Sequence, residues 1–163
     1  MKFRAVIFDL DGTLADSLLD FDGNSYGKPA SEQAAADLWR RVSGRAATLF
    51  TGQCLIDTAT GQRARGVAST VVRFGRPDEV ELAAYVASGE PLLTAGGFTI
   101  DGRAAPFIEG IDGNHGTVIG LSLPLLRRML ADLGVPITSL WRMGGPQYAL
   151  YEAGTGSGRP EPG

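Results

Sequence analysis

The sequence predicts an α/β protein, more narrowly an α+β arrangement on a mixed sheet. Three observations predict it. Short apolar, β-branched runs such as RAVIFDL, ATLFTGQCLI and STVVRF recur along the chain and end in turn residues. Three longer segments carry apolar residues at helical spacing between a capping residue and a glycine stop. Strands and helices alternate, but two hairpin-like pairs interrupt the alternation, which argues against a strictly parallel sheet. The length of 163 residues suits one domain with a real core. We assign that domain to residues 1–142, with 1–15 as an atypical leading strand and turn, and 143–163 as a flexible Gly/Pro-rich tail.

RAVIFDL runs into Asp-Gly and reads as a buried strand ending in a turn. LLDFDGNSYGKP is rich in turn residues and suggests a short hairpin. SEQAAADLWRRVSG reads as a helix with Ser31 as N-cap, Glu32 at the positive end of the dipole and Gly44 as the stop. Its apolar stripe is Ala34, Ala35, Leu38, Trp39 and Val42. AATLFTGQCLID, the turn TATGQR and GVASTVVRF follow as strand, turn, strand. PDEVELAAYVASG is a second helix, with Pro77 at its first position and Gly89 as its end. GGFTI and APFIEGI read as two short strands around Asp101-Gly102. SLPLLRRMLADLG is a third helix whose inner face is Leu125, Leu126, Met129, Leu130 and Leu133, and ITSLW reads as a last strand.

Bulk properties exclude several function classes. Apolar residues make up 44% and charged residues 20%, the balance of an ordinary globular domain. A net charge of −3 offers no footprint for DNA or RNA and no patch for anionic lipid, so no nucleic acid polymer and no membrane is expected as a partner. No apolar run approaches the ~18 residues of a membrane span, and MKFRAVIFDL turns acidic too soon for a signal peptide. The single cysteine, Cys54, lies in LFTGQCLI and reads as a buried packing residue of a protein in a reducing compartment. The cytoplasm is therefore the expected location.

Two aspartates stand at the end of the first strand. In DLDGTLADS, Asp9 and Asp11 are two residues apart, where both carboxylates can face one crevice. One can attack phosphorus while the other handles protons, and a hard divalent cation would offset the phosphate charge. These residues resemble the first motif of the haloacid dehalogenase superfamily, which implies Asp9 as nucleophile and Asp11 as acid/base. The resemblance covers about a tenth of the chain. Later partners are poor: Thr51 follows ATLF, but Lys2 and Lys28 are the only lysines, and Glu109 and Asp112 lack the doubled acidic pattern.

A second set of motifs covers far more. DSLLDFDGNSYGKP, VSGR, LFTGQCLID, STVVRF, AAYVASGEP, AGGFTIDG and FIEGIDGNHGTVIGLSLPLLRRML occur in that order. Together they resemble the Maf family of nucleotide pyrophosphatases from Asp16 to about Trp141, roughly three quarters of the chain. The resemblance implies a Maf-like, inosine-triphosphate-pyrophosphatase-like fold. It also implies hydrolysis of a nucleoside triphosphate, standard or non-standard, to monophosphate and pyrophosphate with Mg²⁺ or Mn²⁺, and a homodimer. Asp16 matches the catalytic aspartate, a general base that also helps hold the metal. Lys28 matches the Gly-Lys-Pro lysine near the phosphates. Asp101 stands where many members carry a glutamine that helps read the base, and Thr94 where a lysine is common.

The family pattern normally opens with a Ser-x-Ser-Pro-Arg-Arg loop that this sequence lacks, so the fold is expected to be N-terminally incomplete. RAVIFDL takes the slot of the strand leading to Asp16, with DGTLA intervening. Two alternatives therefore stand beside the pyrophosphatase: a phosphatase using Asp9, and a truncated or chimeric chain without catalysis. Arg45, Arg73 and Arg103 are further candidate phosphate donors, though each reads first as a surface charge. His115, the one histidine, reads as a surface loop residue, and Asp20 and Asp22 as turn residues beside Gly23. Trp39, Tyr85 and Phe98 are placed like core residues.

Overall fold

Two twelve-residue strands, β4 (Ala46–Asp57) and β5 (Arg63–Phe74), form the spine of the molecule. The computed structural model describes residues 17–141 and, as backbone, the strand at 5–7. Around the spine lie β1 (Ala5–Ile7), β2 (Ser17–Phe21), β3 (Asn24–Tyr26) and β6 (Ile108–Gly113). The sheet order is β3-β2-β4-β5-β6, with β1 also on β4, and every described pairing is antiparallel. The helices are α1 (Glu32–Val42), α2 (Glu79–Ala87), α3 (His115–Ile119) and α4 (Leu123–Asp132). This is the α+β layering that the sequence predicts, but among the described strands the sheet is antiparallel and not mixed, because β2–β3 and β4–β5 are joined as hairpins and not by helical crossovers.

Strand alternation decides which side carries the core. Ala47, Leu49, Thr51, Gln53 and Leu55 of β4 share a face with Ala64, Thr70, Val72 and Phe74 of β5, and all are buried. Two apolar clusters sit on that face. The larger joins Leu38, Trp39 and Val42 of α1 with Leu82, Tyr85 and Val86 of α2 against Leu19, Phe21, Leu49, Val72 and Phe74. Trp39 is its hub, with T-shaped contacts to Phe74, Tyr85 and Phe107 at 5.4, 5.3 and 6.2 Å. The smaller packs Leu125, Leu126, Met129 and Leu130 of α4 on Leu55 and Ala64. Gly66 allows that approach, since a Cβ there would stand 2.7 Å from Leu125. On the other face Leu18, Phe50 and Val67 are exposed.

β1 and β2 lie end to end along the same strand. Ile7 pairs with Leu55 and Ser17 with Thr51. Ten positions separate the first two residues but only four separate their partners, so the chain carries six residues more than a continuous ladder needs. This surplus falls where DGTLA interrupts the sequence pattern.

Most boundaries follow local chemistry. Ser31 accepts from the Ala34 amide and caps α1, and Gly44 beyond its end has φ +68°. The β2–β3 turn is Asp22-Gly23, with φ of 51° and 74°, as a tight hairpin requires. Four expectations are corrected. Pro77 does not open α2: Asp78 is the N-cap, closing a capping box with Glu81, and Pro77 lies outside it. GGFTI is not a strand, because Gly96 and Gly97 both take φ +69° and coil the chain into a short 3-10 turn. ITSLW is a 3-10 turn over Ile137–Leu140, with no sheet edge beside it among the described residues. His115 opens the short helix α3 and is exposed there, so it is a surface residue but not a loop residue. The predicted tail, 143–163, lies outside the described residues.

Candidate functional site

The Gly27-Lys28-Pro29 loop begins where β3 ends. Leu19 pairs with Tyr26, the last residue of β3, and the two strands run antiparallel, so the loop leaves the sheet beside Leu18, at the end where β2 begins with Ser17. A Cβ built on Gly27 would indeed stand 3.8 Å from Leu18 Cδ2. Lys28 follows two residues past β3, at the end of the sheet where β2 begins, and Asp16 directly precedes β2 in sequence. Asp16 itself, like Asp9 and Asp11, lies outside the described residues.

A second loop braces the first. The Gly96 amide donates to the Gly27 carbonyl at 3.0 Å. Both glycines of this loop are demanded by geometry, since a Cβ on Gly96 would meet Leu19 Cβ at 2.8 Å and one on Gly97 would meet Pro29 Cγ at 3.2 Å. The Gly97 carbonyl accepts two buried bonds, from Trp39 Nε1 at 2.8 Å and from the Tyr85 hydroxyl at 3.0 Å. Burial, with the Glu90 carboxylate nearby, pushes the Tyr85 phenol well above its ordinary range, so it stays a donor. Past this loop the exposed Asp101 accepts from the Thr99 hydroxyl. The next residues are held by Glu90, whose carboxylate accepts the amides of Arg103 at 2.9 Å and Ala104 at 3.2 Å.

Ser17 is fastened from the other side. Thr51 donates its hydroxyl to the Thr117 carbonyl at 2.7 Å, so the 2.9 Å contact with Ser17 is a bond that Ser17 donates. Thr70 exchanges bonds with the backbone of Asn114, and Gln53 Oε1 accepts from the Ser122 amide at 3.0 Å. These three strand residues form a buried polar row between the two apolar clusters and staple the segment 114–122 to the sheet. Thr117 Oγ1 and Asn114 Oδ1 remain buried there without a described partner.

Beside the Gly-Lys-Pro loop is a cavity of about 320 Å³, lined by Tyr26, Lys28, Pro29, Leu38 and Arg41 among others. The Arg41 guanidinium lies over the Tyr26 ring at 5.4 Å, which keeps a second cation in the same wall as Lys28. Two of the other three predicted cations are engaged elsewhere. Arg45 makes a bidentate pair with Asp22 at 2.8 and 2.9 Å, and Arg73 pairs with Asp112 at 2.6 Å. Cys54 is buried, as its surroundings in the sequence predict. Among the described residues no three His, Cys, Asp or Glu side chains converge on one point.

A strand, a lysine loop, a glycine-braced second loop and a polar row, in this chain order, can be compared with known proteins. A profile described as Maf-like protein matches residues 3–133. The chain belongs to the Maf-like family. The match begins well ahead of Asp16, so the leading segment that includes β1 falls within the family profile. A Streptomyces coelicolor protein named nucleoside triphosphate pyrophosphatase is 64% identical over 126 residues, covering 77% of this chain and 61% of that protein. A protein of the same name from Salinispora tropica is 55% identical over 129 residues, covering 79% and 57%. A Bifidobacterium longum nucleoside triphosphate pyrophosphatase/Nudix hydrolase fusion protein is 44% identical over 129 residues, covering 79% and 27%. This chain thus spans about three fifths of the length of the first two relatives.

Sequence reasoning singled out Lys28 and Asp101 but missed what holds them. Trp39 and Tyr85 read as core aromatics, and they are; that each also spends its polar atom on one carbonyl had no signal. Nothing in the sequence sets Arg41 apart from the other arginines. The polar row had a faint signal, since Thr51, Gln53 and Thr70 stand at inward positions of otherwise apolar strands.

Proposed function

We propose that this Maf-like chain works on nucleoside triphosphates, as a pyrophosphatase that yields monophosphate and pyrophosphate. The observation that carries the reading is that the Gly-Lys-Pro loop leaves β3 at the end of the sheet where β2 begins, and β2 follows Asp16 directly in sequence. In this reading a water attacks the α-phosphorus, the bond from that phosphorus to the bridging oxygen breaks, and pyrophosphate leaves. Asp16 takes the proton of the attacking water. Lys28, with Arg41 in the same cavity wall, offsets the charge gathering on the leaving pyrophosphate. Asp101 faces the base, where its carboxylate would accept from a ring or exocyclic N–H.

Among the described residues no carboxylate cluster forms an all-protein cage, and a Mg²⁺ or Mn²⁺ ion of the kind held by one or two carboxylates and mostly by substrate phosphates belongs to this reading. Asp16 is the residue that would hold it. The ion supplies charge neutralisation along the triphosphate.

No helix among the described residues is long and apolar enough to cross a membrane. We place the protein in the cytoplasm, where a free buried thiol and a nucleotide substrate are both at home. A homodimer is part of the same reading and rests on the family resemblance. The competing use of Asp9 as a phosphorylated nucleophile gains nothing from the sheet, since β1 pairs antiparallel with β4 and Thr51 spends its hydroxyl on Thr117.

The test is product analysis with Mg²⁺ or Mn²⁺ and a panel of nucleoside triphosphates, separating pyrophosphate from orthophosphate. Pyrophosphate that is lost in Asp16→Asn and Lys28→Ala but retained in Asp9→Asn supports the reading. Orthophosphate lost in Asp9→Asn overturns it in favour of the phosphatase, and no product from folded protein leaves the non-catalytic chain.

A further inference from the structure

The loops carrying Lys28 and Asp101 are both tied to one place, the C-terminal end of α2. The first tie runs through Tyr85, in the last turns of the helix. Its hydroxyl, with Trp39 Nε1, holds the Gly97 carbonyl. The Gly96-Gly97 loop then meets the lysine loop at two points, the Gly96 N–H to Gly27 carbonyl bond and the contact of Gly97 with Pro29. Those points flank Lys28 on either side. The second tie runs through Glu90, three residues past the helix. Its two oxygens hold the Arg103 and Ala104 amides, and Gly102 is packed so closely that a Cβ there would stand 2.7 Å from both oxygens. Asp101 is the residue before that clamp.

We propose that Tyr85 and Glu90 are positioning residues of the nucleotide site, Tyr85 setting Lys28 through Gly97 and Glu90 setting Asp101 through the 102–104 backbone. This rests on the nucleotide reading above. Neither residue needs to touch substrate. Each acts by fixing a backbone that would otherwise be free to swing, because both loops are short, glycine-rich and without a ladder of their own. A lysine that must meet a phosphate loses effectiveness when its loop wanders by an ångström. The two ties also divide the labour. Tyr85 acts mainly on the phosphate end and Glu90 mainly on the base end, so their removal has different leading signatures, although the Tyr85 hydroxyl and the Glu90 carboxylate also interact.

The experiment compares wild type, Tyr85→Phe, Glu90→Gln and, as a stability control, Met129→Ala in the separate α4 cluster. Two readouts are taken: steady-state kinetics on two triphosphates that differ in base, and amide hydrogen exchange without nucleotide. Tyr85→Phe is expected to raise KM roughly 3- to 10-fold for both bases, the effect of one lost buried bond, and to change the preference between them by less than Glu90→Gln does. Glu90→Gln is expected to change the ratio of kcat/KM between the bases by about 3-fold or more, with a smaller common effect. Met129→Ala is expected to lower Tm without either change. Exchange is expected to quicken at Gly96 in Tyr85→Phe and at Arg103 and Ala104 in Glu90→Gln.

Kinetic changes that simply follow Tm across all three variants, or loop amides that exchange at the wild-type rate, overturn the proposal. If wild type neither binds nor hydrolyses any triphosphate, the nucleotide reading falls and exchange alone judges the ties. Quickened exchange at the named amides then upholds them, and unchanged exchange removes them.

Discussion

Removing both donors to the Gly97 carbonyl should hurt far more than removing each in turn. Trp39 and Tyr85 both reach that oxygen, at 2.8 and 3.0 Å, inside a cluster where their side chains are 1% and 4% exposed. In Tyr85→Phe the carbonyl keeps the indole as a partner, so the loss is that of one net hydrogen bond, about 1 kcal/mol. In Trp39→Phe the carbonyl keeps the phenol, and the loss is another such bond plus the smaller ring, together about 2–3 kcal/mol. In the double variant the oxygen is buried with no donor, which adds a desolvation penalty of about 1–3 kcal/mol that neither single change incurs. The packing loss at Trp39 occurs in both arms of the cycle and cancels. Urea unfolding of the four proteins, with a common slope, measures the coupling. An excess of at least about 1 kcal/mol over the summed singles is expected. Additivity within about 0.5 kcal/mol would mean that a water or a backbone shift satisfies the carbonyl, and the shared-acceptor argument would be wrong.

Three further outcomes follow from particular residues. Gly113→Ala should destabilise by at least about 2 kcal/mol, because a Cβ there would stand 2.9 Å from Thr70 Cα at φ +140°, whereas Gly134→Ala, with open space at φ +73°, should cost about 1 kcal/mol in thermal unfolding. Asp78→Ala removes the acceptor of the Val80 and Glu81 amides and should lower stability by about 1 kcal/mol, visible as a shift in urea midpoint. Asp57 is held below the usual carboxylate range by the Thr60 hydroxyl first and the Ala59 amide second. Its contribution is therefore present above the unfolded-state pKa and disappears as pH falls through the depressed folded value. A carboxyl NMR titration should find Asp57 titrating below a typical aspartate, and Thr60→Val should move it back up; a titration already at the ordinary value refutes the turn geometry.

Much of the fold was legible because it depends on local rules. Ser31, the Asp22-Gly23 turn and the alternation through β4 and β5 each declare themselves within a few residues. Where the reading failed, distant atoms overrode a local preference. FTI looks extended, but the two preceding glycines are turned by the space between Leu19 and Pro29. Pro77 looks like a first helical residue, but Asp78 and Glu81 close a capping box after it.

For the site, the order of residues along the chain already carries the chemical types present: the aspartate after the first strand, the Gly-Lys-Pro loop, and the acidic residue past the double glycine. Those are chemical identities, and chain order preserves them. Folding alone brings the Lys28 loop to the end of the sheet where β2 begins, sets Arg41 in the same cavity wall, and spends Arg45 and Arg73 on Asp22 and Asp112. It alone decided that Trp39, 58 residues from Gly97, supplies a bond there. The physical reason is range. Caps, turns and alternation are settled by neighbours a few residues apart, whereas a shared acceptor or a clamped loop exists only after burial has brought remote polar atoms together and removed water as their alternative partner.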